Sequence, residues 1–188
     1  AVLAWNPEEK NDFTIKGSLS RFDFQKLTAG AATDSRYLGN TVVDLGSTAR
    51  FKYEYRGYET SLSVENKFSS RFKLGLTGSY MLNQAAPAGV NKGYNYTLKA
   101  TQKIGRVEWT PSIGYFYNES DTLPAAYTSF SLANNNRFGR TFGLKAELLD
   151  SKVTIGGRMV EAKEIENKSF MADRVLFTLN VEAKYDVL

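Results

Sequence analysis

A strict alternation of apolar and polar residues near the end of the chain constrains the fold more than any other feature. Its apolar positions are Val175, Phe177, Leu179, Val181, Ala183, Tyr185 and Val187. The positions between them, from Thr178 onward, are polar or charged. A period of two indicates a β-strand with one apolar and one polar face. The segment is longer than the ~5–6 residues typical of soluble strands and long enough for the ~9–11 residues that cross a bilayer.

The same alternation recurs along most of the chain and predicts a meander of long strands. The predicted strands cover about 13–20, 43–55, 58–68, 72–82, 94–104, 107–117, 138–148, 153–159 and 175–187. Treating Ala1 to Trp5 as the end of a tenth strand brings both termini to the same side of the sheet. No segment shows a sustained helical period. The sequence therefore predicts a single all-β domain over residues 1–188, with antiparallel strands in up-and-down order.

The two faces of these strands differ sharply in charge. One face is almost free of charge, whereas the other has Lys, Arg and Glu among Gly, Ser and Thr. Tyrosines gather near the strand ends, where a ring can lie in the apolar layer of a membrane with its hydroxyl among headgroups. These positions and the strand lengths favour a transmembrane barrel with its apolar face outward. A soluble ligand-binding β-barrel, which would bury the apolar face, is the alternative.

In these features the chain resembles the integral β-barrels of Gram-negative outer membranes. The resemblance covers nearly the whole chain and lies in the alternation, the aromatic girdles and the short turns that alternate with long loops. It implies an antiparallel up-and-down transmembrane β-barrel in the bacterial outer membrane, with short turns in the periplasm and long loops outside. Ten strands are expected, with eight as the alternative.

Side chains on the charged face are the main functional clue. The residues predicted to line the lumen are Arg50, Lys52, Glu54, Glu65, Lys73, Lys99, Lys103, Glu108, Lys145, Glu147, Arg158, Glu182 and Lys184. The residues predicted to form the membrane-interface girdle are Tyr53, Tyr55, Tyr58, Tyr80, Tyr94, Tyr96, Trp109, Tyr115, Tyr117 and Tyr185.

Composition argues against several kinds of chemistry. The chain has no histidine and no cysteine. The enzymes that resemble it in architecture rely on an active-site histidine, so we expect no enzymatic activity. The lack of cysteine removes a disulfide framework and thiolate metal sites, and no cofactor or metal is predicted. The formal charge of +4 is mild, and because the basic residues are scattered they do not indicate a nucleic-acid partner.

Two functions remain for a barrel with a charged interior. In the first, the charges line a narrow aqueous path, and the protein is a porin-like channel for small polar or anionic solutes. In the second, the charges interlock and fill the barrel, which then acts as a membrane anchor or as a surface-binding scaffold through its loops. The expected partners are the lipid bilayer, lipopolysaccharide and small polar solutes, and the sequence specifies no protein partner.

Overall fold

The computed structural model describes residues 12–127, 134–150 and 153–183, and its main feature is an eight-stranded antiparallel sheet. The strands, in chain order, are β1 (Phe13–Phe24), β2 (Val42–Val43), β3 (Arg50–Phe51), β4 (Tyr55–Ser69), β5 (Phe72–Asn83), β6 (Lys92–Ile104), β7 (Val107–Asn118), β8 (Arg137–Leu148), β9 (Val153–Glu164) and β10 (Arg174–Ala183). The sheet order is β1-β4-β5-β6-β7-β8-β9-β10, while β2 and β3 pair only with each other. The described pairing leaves β1 and β10 as the two edges of the sheet.

The predicted all-β, antiparallel, up-and-down architecture is confirmed, because each strand of the main sheet pairs with the next one along the chain. Eight of the predicted strands correspond to the eight strands of this sheet. Ten strands are present among the described residues, but two of them are the short strands β2 and β3. The tenth strand predicted at Ala1 to Trp5 lies outside the described residues.

The prediction of a long strand over 43–55 is wrong. Residues 25–54 form a connection that contains the helix α1 (Ala29–Tyr37), the two short strands and a 3-10 turn (Gly46–Thr48). The backbone of Asp44 and Gly46 has positive φ angles of 60° and 63°, which an extended strand does not allow. Helix α1 was not predicted either. The Thr28 hydroxyl accepts a hydrogen bond from the Ala31 amide and caps its first turn.

The connections between the strands of the sheet alternate in length. The long ones, 25–54, 84–91, 119–136 and 165–173, join strands at one end of the sheet, and the short ones, 70–71, 105–106 and 149–152, join strands at the other. The strand wrongly predicted over 43–55 had put the long connection after β1 on the same side as the short turns. Without that strand, all four long connections belong to the same end of the sheet, as in outer-membrane barrels.

The two faces of the sheet can be assigned because side chains alternate along each strand. We call the face with Tyr55, Lys99 and Arg158 the inner face, and the opposite one the outer face. Loops cover the inner face near the long connections, where Phe116, Val160 and Ala162 form a buried apolar cluster. No helix among the described residues is long and apolar enough to cross a membrane.

The outer face is apolar and open. Leu76 and Ile113, in the middle of the sheet, are each 50% exposed, and Phe177 on β10 is 77% exposed. Other exposed residues of this face are Leu62, Leu98, Leu144, Ile155, Leu179 and Val181. A continuous apolar surface of this kind on a soluble protein would be an aggregation hazard, whereas in a bilayer it contacts lipid.

Aromatic side chains border this apolar surface at both ends. Toward the long connections the outer face has Tyr58, Tyr80, Tyr94, Tyr96, Tyr115 and Tyr117. The Tyr94 and Tyr117 rings stack with centroids 5.3 Å apart. Toward the short turns lie Trp109 and the Phe68–Phe72 pair. Trp109 and Tyr117 lie on the same strand, about 27 Å apart at ~3.4 Å per residue, which is close to the apolar band of about 25 Å in outer-membrane barrels.

Candidate pore-lining face

A row of small and charged residues crosses the inner face near its middle. Successive register partners in this row are Glu65, Gly75, Lys99, Ser112, Gly143 and Arg158. A Cβ at Gly143 would lie 2.5 Å from the Ser112 hydroxyl oxygen, so a larger residue there requires the Ser112 side chain to move. Small residues thus separate the charged side chains and leave space above the middle of the sheet.

The inner face has more positive than negative charge. Its described strand residues include nine Lys or Arg and six Glu. The basic residues are Lys16, Lys67, Lys73, Lys99, Lys103, Arg137, Lys145, Arg158 and Arg174, and the acidic ones are Glu59, Glu65, Glu108, Glu147, Glu164 and Glu182. Such an excess attracts anions and repels cations in an enclosed path.

Three of these basic residues surround a cavity on the inner face. The cavity measures about 360 Å³ and is lined by Lys99, Lys145 and Arg158, together with the Ser112 hydroxyl and the Glu182 carboxylate. We call it the basic cavity. Lys145 contacts the Glu147 carboxylate at 3.1 Å. Among the described residues, neither Lys99 nor Arg158 lies in an ion pair.

The long connections interlock into a structure that we call the loop cap, formed by the described parts of 25–54, 119–136 and 165–173. Asn40, only 1% exposed, lies at its centre. The Asn40 side-chain amide donates to the Tyr55 hydroxyl and to the Ser120 carbonyl, both at 2.8 Å, and its oxygen accepts from the Ala125 amide. These contacts join the first and third long connections.

Asp121 and Lys168 extend the same network. An oxygen of the buried Asp121 carboxylate accepts from the Thr41 amide at 2.9 Å and from the Tyr55 hydroxyl at 3.0 Å. The Lys168 ammonium donates to the Gly39 carbonyl at 2.8 Å and ties the fourth long connection to the first. Burial lowers the pKa of Lys168, although the nearby Asp121 carboxylate acts in the opposite direction. The loop cap is therefore held by buried polar contacts rather than by a large apolar core.

The structure brings most of the predicted lumen residues together on one face. Those on the inner face are Glu65, Lys73, Lys99, Lys103, Glu108, Lys145, Glu147, Arg158 and Glu182. Arg50, Lys52 and Glu54 were wrongly placed in a strand of the barrel, because they belong to the connection 25–54. Lys184 lies outside the described residues.

The girdle prediction needs two corrections. Tyr53 lies in the connection before β4, outside the main sheet. Tyr55 is the first residue of β4, and the alternation of side chains along that strand places it on the inner face. There it is fully buried. The remaining described girdle residues, Tyr58, Tyr80, Tyr94, Tyr96, Trp109, Tyr115 and Tyr117, lie on the outer face, and Tyr185 lies outside the described residues.

Sequence reasoning missed the residues of the loop cap. Asn40, Asp121 and Asn135 are buried and hydrogen-bonded within the cap, and the buried Asn83 at the end of β5 donates to the Asp121 carbonyl. The signal that could have found them is the number of Asn and Asp residues in the long connections, since these side chains satisfy the backbone groups of irregular segments. No group of three or more Asp, Glu, His or Cys side chains in the described part of the chain could hold a metal ion.

An antiparallel sheet with an apolar outer face, a charged inner face and long loops at one end is typical of outer-membrane β-barrel proteins. The chain matches the model of a protein family described as "Putative porin" over residues 4–184. It therefore belongs to this porin family, and the membership indicates a membrane channel of the outer-membrane type. No curated protein and no solved structure matches the chain.

Proposed function

We propose that the protein forms a narrow channel in the bacterial outer membrane for small polar solutes, with a preference for anions. The observation that carries the proposal is the division of the sheet into an exposed apolar face and a face with excess positive charge. The apolar face suits lipid contact, and the charged face suits an aqueous path. Porin-family membership supports the same conclusion.

The proposal requires a closed sheet. An unpaired strand edge in hydrocarbon leaves backbone N–H and C=O groups without partners, at a cost of several kcal/mol for each group. The edges of β1 and β10 therefore have to be paired in the membrane, and we propose a closed barrel. The short turns would face the periplasm and the loop cap would lie outside, where it narrows the entrance.

The outer rim of the proposed barrel offers contacts for lipopolysaccharide. Arg56, Lys92 and Lys163 lie at the long-connection end of the strands, on the outer face. Lipopolysaccharide phosphates at this level would meet these cations. We propose no enzymatic role for the protein, because ion selectivity accounts for the charged residues of the inner face.

Extraction tests the membrane assignment. We expect the protein to remain insoluble without detergent and to be extracted from outer membranes by it. We also expect the folded protein to migrate faster than the boiled protein on a gel, because a closed barrel resists unfolding by detergent at room temperature. A protein that stays in solution without detergent, with the same mobility before and after boiling, would support the soluble alternative.

Conductance tests the channel. In planar bilayers we expect discrete single-channel steps. In a potassium chloride gradient, we expect a reversal potential whose sign shows that chloride crosses more readily than potassium. Arg158→Glu exchanges one positive for one negative charge and should move that potential toward cation preference, with Arg140→Glu on the outer face as the matched control.

A second candidate function is a closed barrel that serves as a scaffold, and the buried loop cap favours it. An absence of discrete single-channel steps would decide for this function.

A further inference from the structure

The basic cavity has features that a merely anion-preferring path does not require. Charges that only bias selectivity can be spread along a path, whereas here three cations on β6, β8 and β9 line one cavity. Lys99 and Arg158 are three strands apart, about 14 Å at ~4.8 Å per strand. Two long basic side chains can close around a small ligand across that distance. We propose that the basic cavity is a binding subsite for small, doubly charged tetrahedral oxyanions such as inorganic phosphate and sulfate, an inference that rests on the proposed channel.

The charge of the cavity suits a multivalent anion. Among the described residues, Glu182 is the one carboxylate that lines it, and the Glu147 carboxylate contacts Lys145. Arg158 is half-buried and has no ion-pair partner in the described part of the chain. A half-buried cation without a counter-charge gains from a ligand that brings more than one negative charge, and the exposed Lys99 and Lys145 add to the positive charge around it.

The neutral groups of the cavity suit an oxyanion rather than a halide. Thr110, Ser112 and Asn180 line it with hydroxyl and amide donors. A guanidinium presents paired N–H groups that match two oxygens of one phosphate or sulfate group, which a spherical chloride ion cannot use. Gly143 and Gly156 leave the floor without side chains, so that a ligand can approach the hydroxyl groups.

Phosphate block of the chloride current tests the proposal. We expect millimolar phosphate to lower the single-channel chloride current at constant ionic strength, because a bound oxyanion occupies the path. Arg158→Gln should raise the phosphate concentration for half-block about tenfold or more, since it removes a bidentate, charge-assisted contact. Arg140→Gln makes the same substitution on the outer face of the neighbouring strand and should change that concentration less than twofold.

The outcomes separate this inference from the proposed function. A channel that conducts chloride but shows no phosphate block, or an equal response of the two variants, overturns the subsite and leaves the channel intact. If no channel forms, the proposed function fails, and phosphate binding to the detergent-solubilised protein, measured by isothermal titration calorimetry, decides the inference alone. Binding that Arg158→Gln weakens and Arg140→Gln does not would support it, and an absence of binding would overturn it. Heat-dependent gel mobility checks that both variants fold.

Discussion

Replacing Ile113 with arginine is expected to destabilise the membrane-embedded protein by about 2–4 kcal/mol, the cost of a basic residue on the lipid face near the bilayer midplane. Ile113 lies halfway along β7 between Trp109 and Tyr117, so it marks the centre of the apolar band. Its side chain is 50% exposed on the outer face. Urea-induced unfolding in lipid vesicles, followed by tryptophan fluorescence, measures the change in the free energy of unfolding.

Ser61→Arg provides the control, because it introduces the same side chain on the inner face of β4, away from the basic cavity. Its register partners Ser18 and Ser79 are small and uncharged, and Glu59 lies two residues away on the same face, so we expect a cost below about 1 kcal/mol. In water, an exposed Ile→Arg substitution away from special features changes stability by only about 0.5 kcal/mol in either direction. An Ile113→Arg protein as stable as the wild type would therefore contradict lipid contact at this face.

Replacing Asn40 with alanine is expected to open the loop cap while leaving the sheet intact. The substitution removes the contacts to the Tyr55 hydroxyl, to the Ser120 and Leu123 carbonyls and to the Ala125 amide. At ~0.5–1.5 kcal/mol for each hydrogen bond, the cap should lose about 3 kcal/mol. Amide hydrogen exchange in 25–54 should then accelerate about 100-fold, with unchanged protection in β5 to β8.

An exposed asparagine of the same loop cap serves as the control. Asn167 lies in the fourth long connection and its side chain is exposed. Asn167→Ala should leave hydrogen exchange in the cap within about twofold of the wild type, since exposed substitutions have small effects. Equal exchange rates in the Asn40 and Asn167 variants would show that the buried contacts of Asn40 do not hold the cap closed.

The two experiments probe different sources of stability. In the proposed barrel the sheet is stabilised by its backbone hydrogen bonds and by lipid contact of the outer face, whereas the cap depends on buried polar side chains. A looser cap should also widen the proposed outer entrance. The single-channel conductance of Asn40→Ala is therefore expected to exceed that of the wild type.

The alternation in the sequence was sufficient to predict the middle strands with good accuracy. The predicted segments 72–82, 94–104 and 107–117 correspond to Phe72–Asn83, Lys92–Ile104 and Val107–Asn118. These strands have strong apolar and polar faces, and the turn 105–106 between the last two is too short to allow another arrangement. Period-two patterning and turn length together fix such elements locally.

The failure at 43–55 has a specific cause. Val43, Leu45 and Phe51 alternate with polar residues, but Ser47 and Ala49 weaken the apolar face, and Gly46 adopts a positive φ angle. In the structure these residues pack into the loop cap with α1 and do not pair with β1. The register then begins at Tyr55, and because side chains alternate, that residue turns from the predicted outer face to the inner one.

By itself, the sequence determined that the chain forms long antiparallel strands with one apolar and one charged face, because both properties depend on spacing along the chain. Only the tertiary structure decided which connection follows β1, how the long connections interlock around Asn40, and that Lys99, Lys145 and Arg158 line one cavity. These features depend on contacts between residues far apart in the chain, such as the 2.8 Å hydrogen bond from Asn40 to Ser120. Local periodicity contains no information about such pairs.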